Sequence, residues 1–196
     1  MKQRKASITR NTNETQIELL LNIDGSGKSN ISTGVGFLDH MLDLLAKHAN
    51  FDLNIKAKGD HHIDDHHTVE DVGICLGQAF YEALSDKKGI TRYASISLPM
   101  QDALANIAVD LSGRFAFVYN VKFNGSLIGD FHVELIEEFI ESFCSNARFN
   151  LHVNVPYGKN SHHIAEAIFK GIAYVLFVAV AINERKKDVP STKGVL

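Results

Sequence analysis

The sequence predicts an α+β fold made of two similar halves. Segments with helical apolar spacing alternate with segments in which apolar and polar residues alternate, as in strands. The order helix, strand, polar loop, histidine-rich helix occurs twice, and the pattern His-His-x-x-Glu at 66–70 returns at 162–166. We therefore expect one domain, 1–196, built from an internal duplication with pseudo-repeats at about 1–90 and 91–196.

The two halves align with a small change of offset. Aligning Phe51 with Phe149 gives a sequence offset of 149 − 51 = 98, and aligning His66 with His162 gives an offset of 162 − 66 = 96. The two-residue difference falls in the polar loop between them, where a change of length is tolerated.

The first half is predicted to contain three strands and two helices. Alternation predicts two strands joined by a turn, then a helix, a further strand, a polar loop and a long helix. The predicted ranges are 6–11, 17–23, 37–50 (helix), 51–57, 59–65 (loop) and 66–84 (helix).

The second half is predicted to follow the same course. Three strands with turns at Pro99 and Gly113 precede a helix, a strand and a last helix from near His162 to near Glu184. The other predicted ranges are 93–98, 103–111, 115–121, 131–146 (helix) and 149–155.

Composition limits the class of protein. With 196 residues, 45% of them hydrophobic, and a net charge of −3, we expect a globular chain that binds no nucleic acid. Cys75 and Cys144 lie in apolar helical segments and are expected to be buried free thiols in a reducing cytosol. Residues 1–5 show no apolar leader, and the apolar run 172–182 is too short to span a bilayer, so we expect a cytoplasmic protein without a membrane partner.

The ten histidines indicate metal chemistry. Imidazole and carboxylate are common ligands of divalent transition metals. On a helix, Glu70 can share a face with His66 or with His67, but the two histidines diverge, so they are expected to serve different ions. One such pair could be a solvated helix start, but its recurrence at 162–166 favours a two-metal site.

The duplication extends the candidate ligands. At the offset of 98, His40 in the first helix corresponds to Glu138, and both stand as candidates. The alternative for Glu138 is one more solvated carboxylate in an acidic helix. His48, His132 and His152 lack such support and are expected to be surface or structural histidines.

Several stretches resemble the imidazoleglycerol-phosphate dehydratase family over essentially the whole chain. They are 37–41, 59–71, 110–114, 161–167 and 190–194. The resemblance implies a four-helix layer between two mostly antiparallel sheets. It also implies two manganese ions per active site, and a homo-oligomer of twenty-four subunits with active sites at subunit contacts. The implied activity is that of a lyase in histidine biosynthesis, which dehydrates imidazole glycerol phosphate to imidazole acetol phosphate. Glu138 is a departure, since some members have His there.

The resemblance also implies roles for particular residues. The implied metal ligands are His40, His66, His67, Glu70, Glu138, His162, His163 and Glu166. The implied substrate-binding residues are Glu14, Arg92, Arg114, Lys170, Ser191, Thr192 and Lys193, of which the basic ones and the tail serve the phosphate. Proton transfer is assigned to Glu14, with Glu166 as the other candidate.

The chemistry of this reaction agrees with two metals. The proton to be removed lies on a carbinol carbon and is not acidic, so the imidazole ring must supply the driving force. Two divalent ions, one on each ring nitrogen, could hold the ring as an imidazolate able to expel the neighbouring hydroxide. Two other classes stay open from the residues alone, namely a two-metal hydrolase acting on a phosphorylated small molecule and a metal-binding assembly protein.

Overall fold

The computed structural model describes residues 4–196, so the first three residues, part of the stretch without an apolar leader, lie outside it. The described chain forms four helices, two four-stranded sheets and a small two-stranded sheet. The first half contains β1 (Lys5–Asn11), β2 (Thr15–Asn22), β3 (Ser29–Ser32), α1 (Gly36–Ala49), β4 (Asp52–Gly59) and α2 (His66–Leu84). The second half contains β5 (Tyr93–Met100), β6 (Ala103–Asp110), β7 (Ala116–Asn120), β8 (Leu127–Ile128), β9 (Phe131–His132), α3 (Glu134–Ala147), β10 (Asn150–Tyr157) and α4 (Ser161–Val180).

The two sheets have the same topology. The strand orders are β1-β2-β4-β3 and β5-β6-β10-β7, which is first, second, fourth, third in each half. In each sheet the third strand pairs in parallel with the fourth, and the other neighbours are antiparallel. The predicted α+β fold with an internal duplication and mostly antiparallel sheets is therefore confirmed.

The helices pair across the two halves of the chain. α2 packs on β1 and β2, and α4 packs on β5 and β6, while α2 contacts α3 and α1 contacts α4. Gly73 and Gly77 let α2 approach α3 closely, because an added Cβ would lie 2.8 Å from the Phe139 oxygen and 2.6 Å from the Phe143 oxygen respectively. The pairing places one helix of each half beside one helix of the other.

The helix starts lie together at one end of the helix layer. The ring of Phe37, at the start of α1, lies 5.0 Å from Phe131, just before α3, and 5.4 Å from His162, at the start of α4. The start of α2 joins them, because His66 and Glu138 of α3 bring side-chain ligand atoms within 4.8 Å of each other. Side chains from the start of each helix therefore lie at the same end of the fold.

Three sequence predictions of local structure need correction. Pro99 lies inside β5 rather than at a turn, and the turn follows at Gln101. An edge strand tolerates proline, because the residue has no N–H to donate and one side of the strand has no neighbouring strand. The third helix begins at Glu134 instead of 131, because Phe131 and His132 pair with β8. The strand β3 was missed because only Ile31 in it is apolar.

The last helix is shorter than predicted. It ends at Val180 rather than near Glu184, because Ile182 forms a bridge with Ile90 and the Asn183 amide donates to the Gly89 oxygen. This segment carries the chain from α4 towards the C-terminal tail.

α4 is long and apolar enough to cross a membrane by length and composition, but 72% of its most apolar window is buried inside the protein. It is a core helix in this structure. Cys75 and Cys144 are buried and free, as predicted.

Candidate functional site

Two clusters of imidazole and carboxylate groups lie at the helix starts. One joins His40 of α1 to His162 and Glu166 of α4, and the other joins Glu138 of α3 to His66 and Glu70 of α2. In each cluster the ligand atoms all lie within 4.8 Å of one another. Each cluster combines one side chain from a shorter helix with an i,i+4 pair from a longer one, so each draws on both halves of the chain.

Glu166 is the centre of the first cluster. Its Oε1 lies 3.1 Å from His40 Nε2 and 3.3 Å from His162 Nε2, and its Oε2 accepts a hydrogen bond from Lys170 Nζ at 2.8 Å. Burial alone would raise the pKa of Glu166, but Lys170 and the two histidines outweigh it and lower the pKa to about 2. The carboxylate is therefore anionic at neutral pH, which suits a metal ligand.

The second cluster is more open than the first. His66 Nε2 lies 4.0 Å from Glu70 Oε2, and these two side chains are 45% and 40% exposed, whereas that of Glu166 is 10% exposed. The position equivalent to Lys170 is 170 − 96 = 74, which is Ile74, so no ammonium accompanies Glu70 there. A second carboxylate, Glu138, stands where the first cluster has His40.

The donor sets suit divalent transition metals. Imidazole nitrogen together with carboxylate oxygen is a combination that manganese, iron, cobalt and zinc all accept. Three donors from one chain leave other coordination positions for substrate, water or further protein ligands. The structure thus brings together six of the eight predicted ligands.

The other two predicted ligands, His67 and His163, lie outside these clusters. The rings of His66 and His67 are 6.3 Å apart at 89°, and those of His162 and His163 are 6.4 Å apart at 84°. The divergence expected for adjacent helix positions is therefore present in both halves.

A carboxylate contacts the Nδ1 atom of each of these two outlying histidines. Asp60 Oδ2 lies 3.0 Å from His67 Nδ1, and Asp102 Oδ1 lies 2.5 Å from His163 Nδ1. Asp60 raises the pKa of His67, and the bond from His163, with two backbone amides, holds the pKa of Asp102 well below its usual range. Sequence reasoning missed both aspartates, because neither belongs to a motif that recurs in the two halves.

Glu14 lies at the same corner of the molecule as His67. Its Oε1 is 3.9 Å from His67 Nε2, and its side chain is 54% exposed. The turn that carries it is shaped by Thr12, whose Oγ1 accepts from the amides of Glu14 and Thr15. The structure therefore places this predicted proton-transfer group beside a predicted metal ligand.

A basic cavity of about 740 Å³ lies where the C-terminal tail meets Arg92. It contains the predicted phosphate-binding residues Arg92, Arg114, Ser191, Thr192 and Lys193, together with the basic run Arg185, Lys186 and Lys187. Sequence reasoning missed that run, although three consecutive basic residues were its signal. Lys170, also predicted for the phosphate, does not line this cavity of the same chain and donates a hydrogen bond to Glu166.

Arg92 is fixed at the base of this cavity. Its Nε donates to Asp110 Oδ1 at 2.7 Å and its Nη1 donates to the Pro190 oxygen at 2.7 Å, while the residue is 8% exposed. The bond to Pro190 ties the tail to the body of the protein, so the tail is part of the cavity wall.

The cavity and the metal clusters lie at opposite ends of the folded molecule. The Arg92 amide donates to the Ala179 oxygen at the end of α4, whereas His162 and Glu166 lie near its start. At 1.5 Å per residue, the distance along α4 to Ala179 is about 26 Å from His162 and about 20 Å from Glu166. β6 gives a similar estimate. Asp102, which contacts His163, and Asp110, which contacts Arg92, stand at its two ends, and its 8 residues span about 27 Å.

Comparison with known proteins gives consistent matches. Residues 33–176 match the family model described as imidazoleglycerol-phosphate dehydratase. A protein of that name from Geobacillus kaustophilus (strain HTA426) is 56% identical over 193 residues, covering 98% of this chain and 99% of the relative. One from Methylobacterium radiotolerans is 56% identical over 194 residues, covering 98% of this chain and all of the relative (100%).

Two solved structures have the same fold. The crystal structure of imidazoleglycerol-phosphate dehydratase from Staphylococcus aureus superposes with a TM-score of 0.84 at 38% identity, covering 91% of this chain and 99% of the other. The enzyme from Pyrococcus furiosus, solved in complex with (S)-C348, superposes with a TM-score of 0.82 at 35% identity, covering 96% and 100%. None of these matches favours the two-metal hydrolase considered above.

Proposed function

Because this chain belongs to the imidazoleglycerol-phosphate dehydratase family, a family of hydro-lyases in histidine biosynthesis, we propose that it works with two divalent metal ions. The reaction removes water from imidazole glycerol phosphate and gives imidazole acetol phosphate. The pair of pseudo-equivalent clusters, each with three ligand atoms within 4.8 Å, is the observation that carries the two-metal proposal.

The proposed ligands come from both clusters and from the two outlying histidines. His40, His162 and Glu166 hold one ion, and His66, Glu70 and Glu138 hold the other. His67 and His163 each bind an ion through Nε2, the nitrogen that is not engaged by an aspartate. We propose manganese as the native metal, as in the implied family pattern. When bound, the ions supply the positive charge that keeps the imidazole ring deprotonated, so that the ring can expel the hydroxyl group beside it.

Glu14 is the group best placed to transfer the proton. Glu166 is bound to Lys170 and its pKa is about 2, so it is a weak base and suits the role of ligand. Within residues 4–196, the Glu14 carboxylate accepts no hydrogen bond, and it is exposed 3.9 Å from His67 Nε2. Glu14 is therefore free to contact a substrate held beside that histidine.

The separation of about 20–27 Å between clusters and cavity supports a homo-oligomer. The substrate is an imidazole ring joined to a phosphate through three carbons, so it cannot reach both ends of one chain. We propose that the basic cavity of one chain grips the phosphate while the clusters of another hold the ring. The assembly of twenty-four subunits implied by the family resemblance would supply such contacts.

Buried free thiols at Cys75 and Cys144 support a location in the reducing cytoplasm, which is also part of this proposal.

Changing His66 or His67 to Ala tests the metal ligands. Each variant is expected to lower the metal content towards one ion per site, because the two rings diverge at about 89° and serve different ions. Metal content is measured by elemental analysis of the purified protein. His48→Ala is the matched control, since His48 is exposed and lies in neither cluster. If both variants keep two ions per site, the assignment of ligands is wrong.

Changing Arg114 or Lys193 to Ala tests the phosphate cavity. Each removes a charge-assisted hydrogen bond worth about 1.5–3 kcal/mol, so substrate affinity is expected to fall about ten- to a hundredfold. Metal content should stay intact, because the cavity and the clusters are at opposite ends of the folded molecule. Lys88→Ala, at a side chain 59% exposed and outside the cavity, is the control. Normal substrate binding by either cavity variant would show that the substituted residue does not bind the phosphate.

A further inference from the structure

The duplication places Glu14 and Asp102 at equivalent corners of the two sheets. Glu14 immediately precedes β2 and Asp102 immediately precedes β6; both strands have 8 residues and stand second in their sheets. Each carboxylate faces the second histidine of a tandem pair, His67 or His163. The two positions are therefore structural equivalents.

The two carboxylates contact their histidines differently. Asp102 Oδ1 is bonded to His163 Nδ1, and its Oδ2 accepts from the amides of Lys159 at 2.6 Å and Asn160 at 2.9 Å. Asp102 is therefore fixed by three contacts. Glu14 lies 3.9 Å from the other ring nitrogen, Nε2, of His67.

In the first half, a different residue contacts Nδ1. Asp60 stands just after β4 and contacts His67 Nδ1 at 3.0 Å. Its counterpart at the offset of 98 is 60 + 98 = 158, which is Gly158, so the second half has no equivalent of Asp60. The same contact is made in the two halves from non-equivalent positions, which is a departure from the pseudo-symmetry of the fold.

The contact fixes which ring nitrogen is available to a metal. An ionised carboxylate only accepts hydrogen bonds, so Nδ1 of each histidine carries the proton. In the neutral ring, Nε2 then holds the free lone pair. Carboxylates that orient ligating histidines in this way commonly change metal affinity about 10–100-fold when they are removed.

We propose that Asp60 and Asp102 are positioning residues, which hold His67 and His163 with Nε2 free to bind the metal ions. Asp60 does for His67 what Asp102 does for His163, and it thereby leaves Glu14 available to contact substrate. The inference rests on the proposed ligand role of the two histidines.

A Mn²⁺ titration of the metal-stripped protein tests this role. Asp60→Asn keeps the shape of the side chain and removes its charge, and is expected to weaken binding of one of the two ions about 10–100-fold. His67→Ala should weaken the same ion. If Asp60 acts only through His67, adding Asp60→Asn to His67→Ala should cause no further loss. A general structural role would not give that pattern.

Asp65→Asn is the matched control. It removes a similar carboxylate contact, 2.7 Å from Nδ1 of His61, a histidine outside the proposed ligand set. Its Mn²⁺ affinity is expected to equal that of the unmodified chain. If Asp60→Asn folds poorly, as judged by its thermal midpoint, the corresponding single and double variants Asp102→Asn and His163→Ala test the positioning role instead.

The outcomes separate this inference from the proposed function. If His67→Ala binds Mn²⁺ normally, the ligand assignment fails and the positioning role fails with it. If His67→Ala weakens binding but Asp60→Asn behaves like Asp65→Asn, only the positioning role is overturned. A loss from Asp60→Asn that persists in the His67→Ala background would also overturn it, because Asp60 would then act by another route.

Discussion

Glu14→Gln is expected to bind two metal ions, assemble normally and bind substrate, yet turn over at least a hundredfold more slowly. General acid–base catalysis contributes typically about 10² to 10⁴ to a rate, and this variant removes that function while keeping the size of the side chain. The loss should appear in turnover under saturating substrate, measured as formation of imidazole acetol phosphate.

The expectation depends on the contrast between two carboxylates. Glu166 contacts His40, His162 and Lys170, and these contacts stabilise its charged form and make it a weak base. Glu14 is exposed on a turn beside His67, and within residues 4–196 its carboxylate accepts no hydrogen bond. The reaction requires removal of the carbinol proton, and Glu14 is the group free to accept it.

Glu18→Gln provides the control, because Glu18 is another exposed carboxylate four residues along the same chain segment. Near-normal turnover of Glu14→Gln would transfer the proton-transfer role to Glu166. Loss of metal or of assembly would make Glu14 a structural residue.

Removal of the metals is expected to abolish activity and to break the native particle into smaller species. Each cluster offers three ligand atoms from one chain, and the rings of His67 and His163 diverge from those of their cluster neighbours, His66 and His162. An ion whose coordination includes a histidine of a neighbouring chain links the two chains, so loss of the ion weakens their association.

Light scattering of the particle before and after chelation measures this effect. Return of Mn²⁺ should restore both mass and activity, which distinguishes dissociation from irreversible unfolding. A chelated protein that keeps its full native mass would contradict ligation shared between chains.

The sequence alone predicted the parts of the site that repeat. The offset of 98 paired His40 with Glu138, and the structure puts each of them with the i,i+4 pair of the other half. Helix periodicity was enough to predict that His66 and His67 diverge. These features follow from local geometry and from the duplication.

The parts that were missed depend on contacts through space. Asp60 and Asp102 come from non-equivalent positions, so no repeat identifies them. The contact between Lys170 and Glu166 depends on how α4 packs against the rest of the fold. Pro99 could be accommodated only because β5 is an edge strand, which the sequence does not specify.

The central claim is that one active site combines the phosphate cavity of one chain with the metal clusters of another. Subunit complementation tests it most directly. Glu14 and Arg114 lie at opposite ends of the folded chain, and the variants Glu14→Gln and Arg114→Ala should each be strongly impaired at low substrate concentration. Co-expression with two different tags gives particles in which both chains are verified.

If each site draws Glu14 and Arg114 from different chains, random mixing in equal amounts leaves about a quarter of the sites with both residues intact. The account predicts that mixed particles recover activity up to about that fraction of the unmodified enzyme. Activity in verified mixed particles no higher than the mean of the two parents would contradict it.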